Sequence, residues 1–172
     1  KAMDDRAGCA LLIETARRLK SSPHEIYFVF TVQEELGVRG AKTSAYALNP
    51  DIGIAVDVTR TGDTPKARPM EVKLGGGPAI KIKDSLVMAH PRVRELMVKK
   101  AKEIGIPYQM EILEAGGTDA GPIHLTREGV PSGVISIPCR YVHSDSEMVD
   151  ASDLENGVKL LLKILEDEID IF

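Results

Sequence analysis

Apolar positions along the chain follow two rhythms, one helical and one extended. Over residues 5–20, Ala7, Ala10, Leu11, Leu12, Ile13, Ala16 and Leu19 cover one broad helical face. Arg17, Arg18 and Lys20 fall in the last turn, where the helix dipole favours positive charge. Ser21-Ser22-Pro23 predicts the stop, because the residue before a proline avoids the helical region. Next comes YFVFTV, residues 27–32, apolar except for Thr31; it predicts a wholly buried strand over about 25–33 that ends on two adjacent carboxylates, Glu34 and Glu35.

The alternation continues. A helix is predicted over 39–47, and the Asn49-Pro50-Asp51 turn leads into the apolar run IGIAVDV at 52–58. Residues 59–78, rich in Gly, Pro, Thr and charge, read as a long exposed loop. Strands at 79–83 and 108–113 flank a helix at 91–103. The turn EAGGTDAG at 114–121 opens a short helix ending near Gly129, a strand follows at 133–138, and an amphipathic helix closes the chain at 151–167. Strands and helices alternate and several strands are apolar throughout, which predicts an α/β fold: a mixed, largely parallel sheet sandwiched by helices, in one domain over 1–172.

Composition narrows the function classes. The chain has 172 residues, 43% hydrophobic and 28% charged, enough for one proper core. A formal net charge of -4 and 4% aromatic residues argue against a nucleic-acid surface. No apolar run approaches the ~20 residues that span a bilayer, and no signal peptide opens the chain, so a cytoplasmic protein without membrane partners is expected. Cys9 and Cys139 lie far apart in apolar stretches and read as reduced thiols. A start without Met, close to a helix, reads as a fragment or processed product.

Candidate chemistry collects at strand ends. In open α/β sheets ligands bind outside the carboxyl ends of the strands. Three apolar runs end there on groups able to bind metal: Glu34-Glu35, Asp57 and His143; Asp4-Asp5 precedes the first helix. Carboxylates plus histidine suit zinc or a similar borderline ion, whereas oxygen donors by themselves suit magnesium or calcium. Each residue also has an ordinary reading. Asp4 or Asp5 fits a helix N-cap, Asp57 a strand-end turn, and His143 an exposed loop. Asp119 fits a cap of the short helix, His124 packing, Gly75-Gly76-Gly77 flexible chain without the Lys-Ser/Thr of a phosphate loop, and His24 and His90 solvent-facing turns.

The blocks AMDDRAG (2–8), TVQEELGVRGA (31–41), AVDVT (55–59), GGTDAGPIHLTREGVPSG (116–133) and PCRYVHSDSEMVD (138–150) together resemble one family. It is the family of di-metal aminopeptidases that form tetrahedral (TET) particles, with the glutamyl and deblocking aminopeptidases and proteins labelled endoglucanase M. The resemblance covers essentially the whole chain and implies a zinc-exopeptidase fold of the phosphorylase/hydrolase-like kind. It implies that Asp4 bridges two divalent metal ions, with zinc expected and cobalt or manganese acceptable, and that the Asp4-Asp5 peptide is cis. Glu35 and His143 would complete one metal site, Asp57 would serve the second, and Glu34 would act as general base. Gly116, Gly117, Thr118 and Asp119 match a segment lining the substrate pocket.

The implied activity is removal of N-terminal residues from peptide substrates, in a homo-oligomer for the full-length parent. The family pattern also has an upstream histidine ligand and an inserted β assembly domain, neither present in this sequence, so an impaired C-terminal part is expected. A non-catalytic subunit or assembly fragment is the alternative reading. A glycan hydrolase, implied by the endoglucanase label, is the other; paired glycosidase carboxylates work ~5 to 9.5 Å apart without a metal cluster.

Overall fold

The computed structural model describes residues 2–171. In chain order the elements are α1 (Met3–Arg18), α2 (Arg39–Leu48), β1 (Gly53–Arg60), β2 (Ala79–Lys83), α3 (Pro91–Glu103), β3 (Gln109–Ile112), α4 (Ala120–His124), β4 (Ser132–Arg140), β5 (Met148–Val149) and α5 (Ala151–Glu166). The sheet runs β1-β4-β2-β3, with β5 on the far end of β4. β1 pairs with β4 and β2 with β3 in parallel, while β2 and β5 pair antiparallel to β4. The expected mixed, largely parallel sheet is therefore present.

β4 carries the core. All its residues from Ser132 to Cys139 are buried, as expected for a strand covered on both faces. Ile135, Ile137 and Cys139 face a cluster built from Leu11 of α1, Val93 and Met97 of α3, and Leu160, Leu161 and Ile164 of α5. Val134 points the other way, to Ala55, Val87 and Ala120. That opposition follows from the two-residue period of a strand. Gly157 lets α5 lie against α1, since a Cβ there would sit 2.7 Å from Cδ1 of Leu11. Among the described residues, no helix is long and apolar enough to cross a membrane. Cys9 and Cys139 are both free thiols.

Several expectations need correction. Residues 25–33 are not a strand: they join no sheet, and Tyr27, Phe30 and Val32 are exposed rather than buried. Apolar composition made the segment look like core, but composition does not supply the neighbouring strand that core requires. Residues 59–78 are not uniformly exposed either, because β1 extends to Arg60, Val72 is fully buried, and the Gly62 amide donates to the Val72 carbonyl at 2.8 Å. The glycine run 75–77 is held, with the Gly75 and Gly77 amides donating to Asp153 at 2.8 and 2.7 Å. His24 is half-buried, its Nε2 2.9 Å from the Asp167 carbonyl.

Candidate metal centre

The first helix and two turns bring the site together. α1 is broken at its start: Asp4 and Asp5 have non-helical backbone angles, and the peptide between them is cis. The two readings of this acidic pair divide between the residues. Oδ1 of Asp5 accepts the Gly8 amide at 2.9 Å, which is the capping role, and this leaves the Asp4 side chain free to face the cleft. Glu35 follows Gln33, which has φ 59°, and His143 itself has φ 64°; left-handed backbone is uncommon outside glycine and re-aims a side chain sharply.

Asp4, Glu35 and His143 converge. Nε2 of His143 lies 3.2 Å from Oδ2 of Asp4 and 3.1 Å from Oε1 of Glu35, and one ligand atom from each residue falls within 4.8 Å of the others. Donors about 2.1 Å from a tetrahedral zinc stand roughly 3.4 Å apart. The observed spacings are near that value. The three residues line an open cleft of about 510 Å³ with Ala2, Ser144, Asp145 and Glu147.

Glu147, which the sequence reading missed, stands behind this trio. It is buried, and its two carboxylate oxygens accept the backbone amides of Asp4 (3.2 Å) and His143 (3.0 Å). Burial pushes its carboxyl upward, but the amides of Asp4, His143 and Met3 outweigh it and hold Glu147 below the usual range. Its position four residues after His143, inside an acidic stretch, was the available signal.

The remaining expected residues lie outside the trio. Asp57 is half-buried inside β1, three residues short of its end and so not the strand-end turn residue expected, its Oδ1 accepting the Val58 amide at 2.7 Å. It is not within the compact trio. Asp119 is at the N-cap position of α4 but makes no capping bond; instead its Oδ2 accepts the Thr31 hydroxyl at 2.6 Å, and its Oδ1 is buried without a partner. Thr118 is buried and donates to Asp84 at 3.3 Å. The Gly116 carbonyl accepts the Ser85 amide, and Leu86 fills the space that a Cβ on Gly117 would need. His124 packs within α4, its Nδ1 3.1 Å from the Ala120 carbonyl.

Electrostatics single out the cluster as short of positive charge. Burial, then the neighbouring Glu35, raises the Asp4 carboxyl to about 6. Burial raises Glu34 to about 7, with Asp119, Glu35 and Asp4 adding repulsion. Asp5 is raised to about 7 and Asp57 well above its ordinary value, again chiefly by burial. Among the described residues, no Lys or Arg forms an ion pair with any of these carboxylates. A divalent cation is the complement such a set lacks, and the mixed oxygen and nitrogen donors fit a zinc-like ion.

The chain is similar to several known proteins. A protein of Acetivibrio thermocellus is 61% identical over 165 residues, covering 96% of this chain and 50% of that protein. The structure of an aminopeptidase from the archaeon Desulfurococcus kamchatkensis superposes with a TM-score of 0.95 at 44% identity, over 98% of this chain and 49% of that one. The Pyrococcus horikoshii TET1 peptidase, which can assemble into a tetrahedron or a large octahedral shell, superposes with a TM-score of 0.81 at 31% identity, over 98% and 49%. The chain thus spans about half the length of the relatives it matches. Residues 1–160 match the M42 glutamyl aminopeptidase family, and the chain belongs to that family.

Proposed function

We propose that this chain supplies the metal-binding and proton-transferring part of a metallo-aminopeptidase acting on peptide N-termini. The convergence of Asp4, Glu35 and His143 within 4.8 Å, backed by Glu147, carries the reading. Asp4, Glu35 and His143 would hold one divalent ion, zinc by preference with cobalt or manganese as substitutes, and Asp4 with Asp57 would serve a second. When bound, the metal supplies Lewis acidity that polarises the scissile carbonyl and acidifies an attacking water.

The chain's own groups do the rest. Glu34 lies outside the trio yet among its carboxylates, so it is free to take a proton from water and return it to the leaving amine. Thr31 fixes Asp119 near Glu34, and the unpartnered Oδ1 of Asp119 is an acceptor suited to a peptide α-ammonium. Gly116, Gly117 and Thr118, which precede Asp119, would line the substrate side there, held by contacts with Asp84, Ser85 and Leu86. The neighbours' assemblies support a homo-oligomer for the full-length parent, and two free thiols are consistent with the cytoplasm.

The trio is compact while Asp57 stands apart from it, so the isolated chain is expected to hold one metal tightly and to hydrolyse poorly. Zinc titration with elemental analysis, beside hydrolysis of leucyl and glutamyl chromogenic amides, tests this. One tight zinc that disappears in His143→Ala supports the site. Absence of tight zinc binding overturns it, and two tight ions with full turnover overturn the expectation of impairment.

A further inference from the structure

Lys81 stands in a buried polar chain that links three strands to the segment before α4. It is fully buried, as is Glu111, its register neighbour on β3, whose Oε1 lies 2.5 Å from Nζ. That oxygen also accepts the Thr59 hydroxyl at 2.7 Å, which ties in β1 two residues beyond Asp57. On its other side, Nζ of Lys81 lies 3.5 Å from Oδ2 of Asp84, and the same oxygen accepts the Thr118 hydroxyl at 3.3 Å. Low dielectric strengthens each of these bonds and makes an unpaired group costly, so the chain specifies one geometry.

Asp84 converts that geometry into support for residues 116–119. Its Oδ1 accepts the Leu86 and Val87 amides at 2.8 and 2.9 Å, which fixes the turn 84–87. From this turn the Ser85 amide donates to the Gly116 carbonyl at 3.0 Å. Leu86 packs so closely that a Cβ on Gly117 would sit 2.3 Å from its Cδ1, and one on Gly121 2.7 Å from its Cβ. Residue 119 comes directly after Thr118. Asp119 is therefore held from two sides, by Thr31 through Oδ2 and along the chain by Thr118, while its Oδ1 has no partner.

We infer that Lys81 is a positioning residue for peptide binding: through Asp84 and Thr118 it fixes where Asp119 presents Oδ1 to a substrate α-ammonium. The inference rests on the reading of 116–119 as the substrate side. Lys81 has no exposed surface, so it acts through these residues and touches no substrate itself. A misplacement of about 1 Å in such a contact can cost about 100-fold. No member of the network belongs to the trio, so metal affinity there is independent of it.

The test uses the zinc-loaded chain and two probes that differ at the α-amino group, leucinamide and N-acetyl-leucinamide, with binding read by calorimetry. Thr118→Val cuts the link to Asp84 and keeps the side chain's shape. Lys81→Met combined with Glu111→Leu removes the buried pair as a unit. Both variants are expected to bind leucinamide at least tenfold more weakly, with affinity for N-acetyl-leucinamide and for zinc unchanged. The Ser85 and Gly121 amides, which donate to the Gly116 and Thr118 carbonyls, should exchange hydrogen at least tenfold faster, while the amides of β4 exchange as in wild type. Thr118→Val, which buries no new charge, decides if the double variant does not fold. Wild-type affinity for leucinamide or wild-type exchange at Ser85 and Gly121 overturns the proposal. So does an equal loss for both probes, or a parallel fall in zinc affinity, since the network would then be merely structural. A wild-type chain that binds the two probes alike overturns instead the reading of 116–119 as the substrate side, and the proposal falls with it.

Discussion

Oε2 of Glu147 accepts the backbone amide of Asp4 at 3.2 Å, across 143 residues of sequence. A candidate metal ligand is thereby positioned by a residue that is not itself in the trio. The other oxygen does the same for His143, so one buried side chain ties together the backbones of two candidate ligands.

Glu147→Ala is expected to weaken zinc binding at this site 10- to 100-fold, the usual effect of removing a partner that orients ligands. Competition with a chromophoric chelator reads the affinity. Near-wild-type affinity in a folded variant would show that Asp4 and His143 are held by other means.

A second network stands apart from the metal centre. Lys81 is fully buried, its Nζ 2.5 Å from Oε1 of Glu111 and 3.5 Å from Oδ2 of Asp84. Thr59 also donates to Glu111, and Asp84 accepts the Leu86 and Val87 amides. Lys81→Met should cost about 3–5 kcal/mol, because it leaves buried carboxylates uncompensated. Lys81→Met combined with Glu111→Leu should recover much of that loss, since Asp84 keeps its amide partners. Urea midpoints of the two variants decide; equal losses would mean that packing, not charge, dominates.

How far the sequence could be read depended on whether a residue's partners were local. β4 was legible because an apolar run bounded by turn residues is a buried strand in most settings, and here α1, α3 and α5 cover it. Asp4, Glu35 and His143 were legible because they stand in recognisable sequence blocks, and in the fold the three side chains do meet. Residues 25–33 have the same apolar signal as β4 but lack a strand to pair with among the described residues, so they run along the surface. Asp119 was misread for a related reason: its real partner, Thr31, is 88 residues away, and local capping statistics cannot see it. Glu147 was missed because its spacing from His143 is a weak signal, and one of the two amides that it accepts, that of Asp4, lies 143 residues away.

The glycine turn at 75–77 is expected to be intolerant of side chains. Gly77 has φ 91°, and a Cβ there would sit 2.1 Å from the Pro107 carbonyl oxygen, a backbone atom that cannot step aside cheaply. Gly77→Ala should destabilise the chain by about 2 kcal/mol or more. Asp153→Ala, which strips the Gly75 and Gly77 amides of their acceptor, should cost about 1–3 kcal/mol. Thermal melts of both variants test this, and a Gly77→Ala protein as stable as wild type would rule out the close approach.

The loop after β1 has its own pH signature. Arg140 grips Asp63 with two bonds, Nε to Oδ1 at 3.1 Å and Nη2 to Oδ2 at 2.7 Å, and the Leu74 amide donates to the same carboxylate. These contacts, the guanidinium first, hold the Asp63 carboxyl well below its ordinary value. An unfolded aspartate titrates near about 3.9. With the folded value below the unfolded one, the pair's stabilisation is present above pH ~4 and is lost as pH falls through the folded value. Both side chains are partly exposed, so screening limits the contribution to about 0.5–1 kcal/mol. Asp63→Asn should therefore be less stable than wild type by that amount at pH 7 in urea titrations. The difference should shrink below pH 4 and also in 1 M salt. A gap that stays constant from pH 7 down to pH 2 would mean that Asp63 acts through its hydrogen-bonding shape and not its charge.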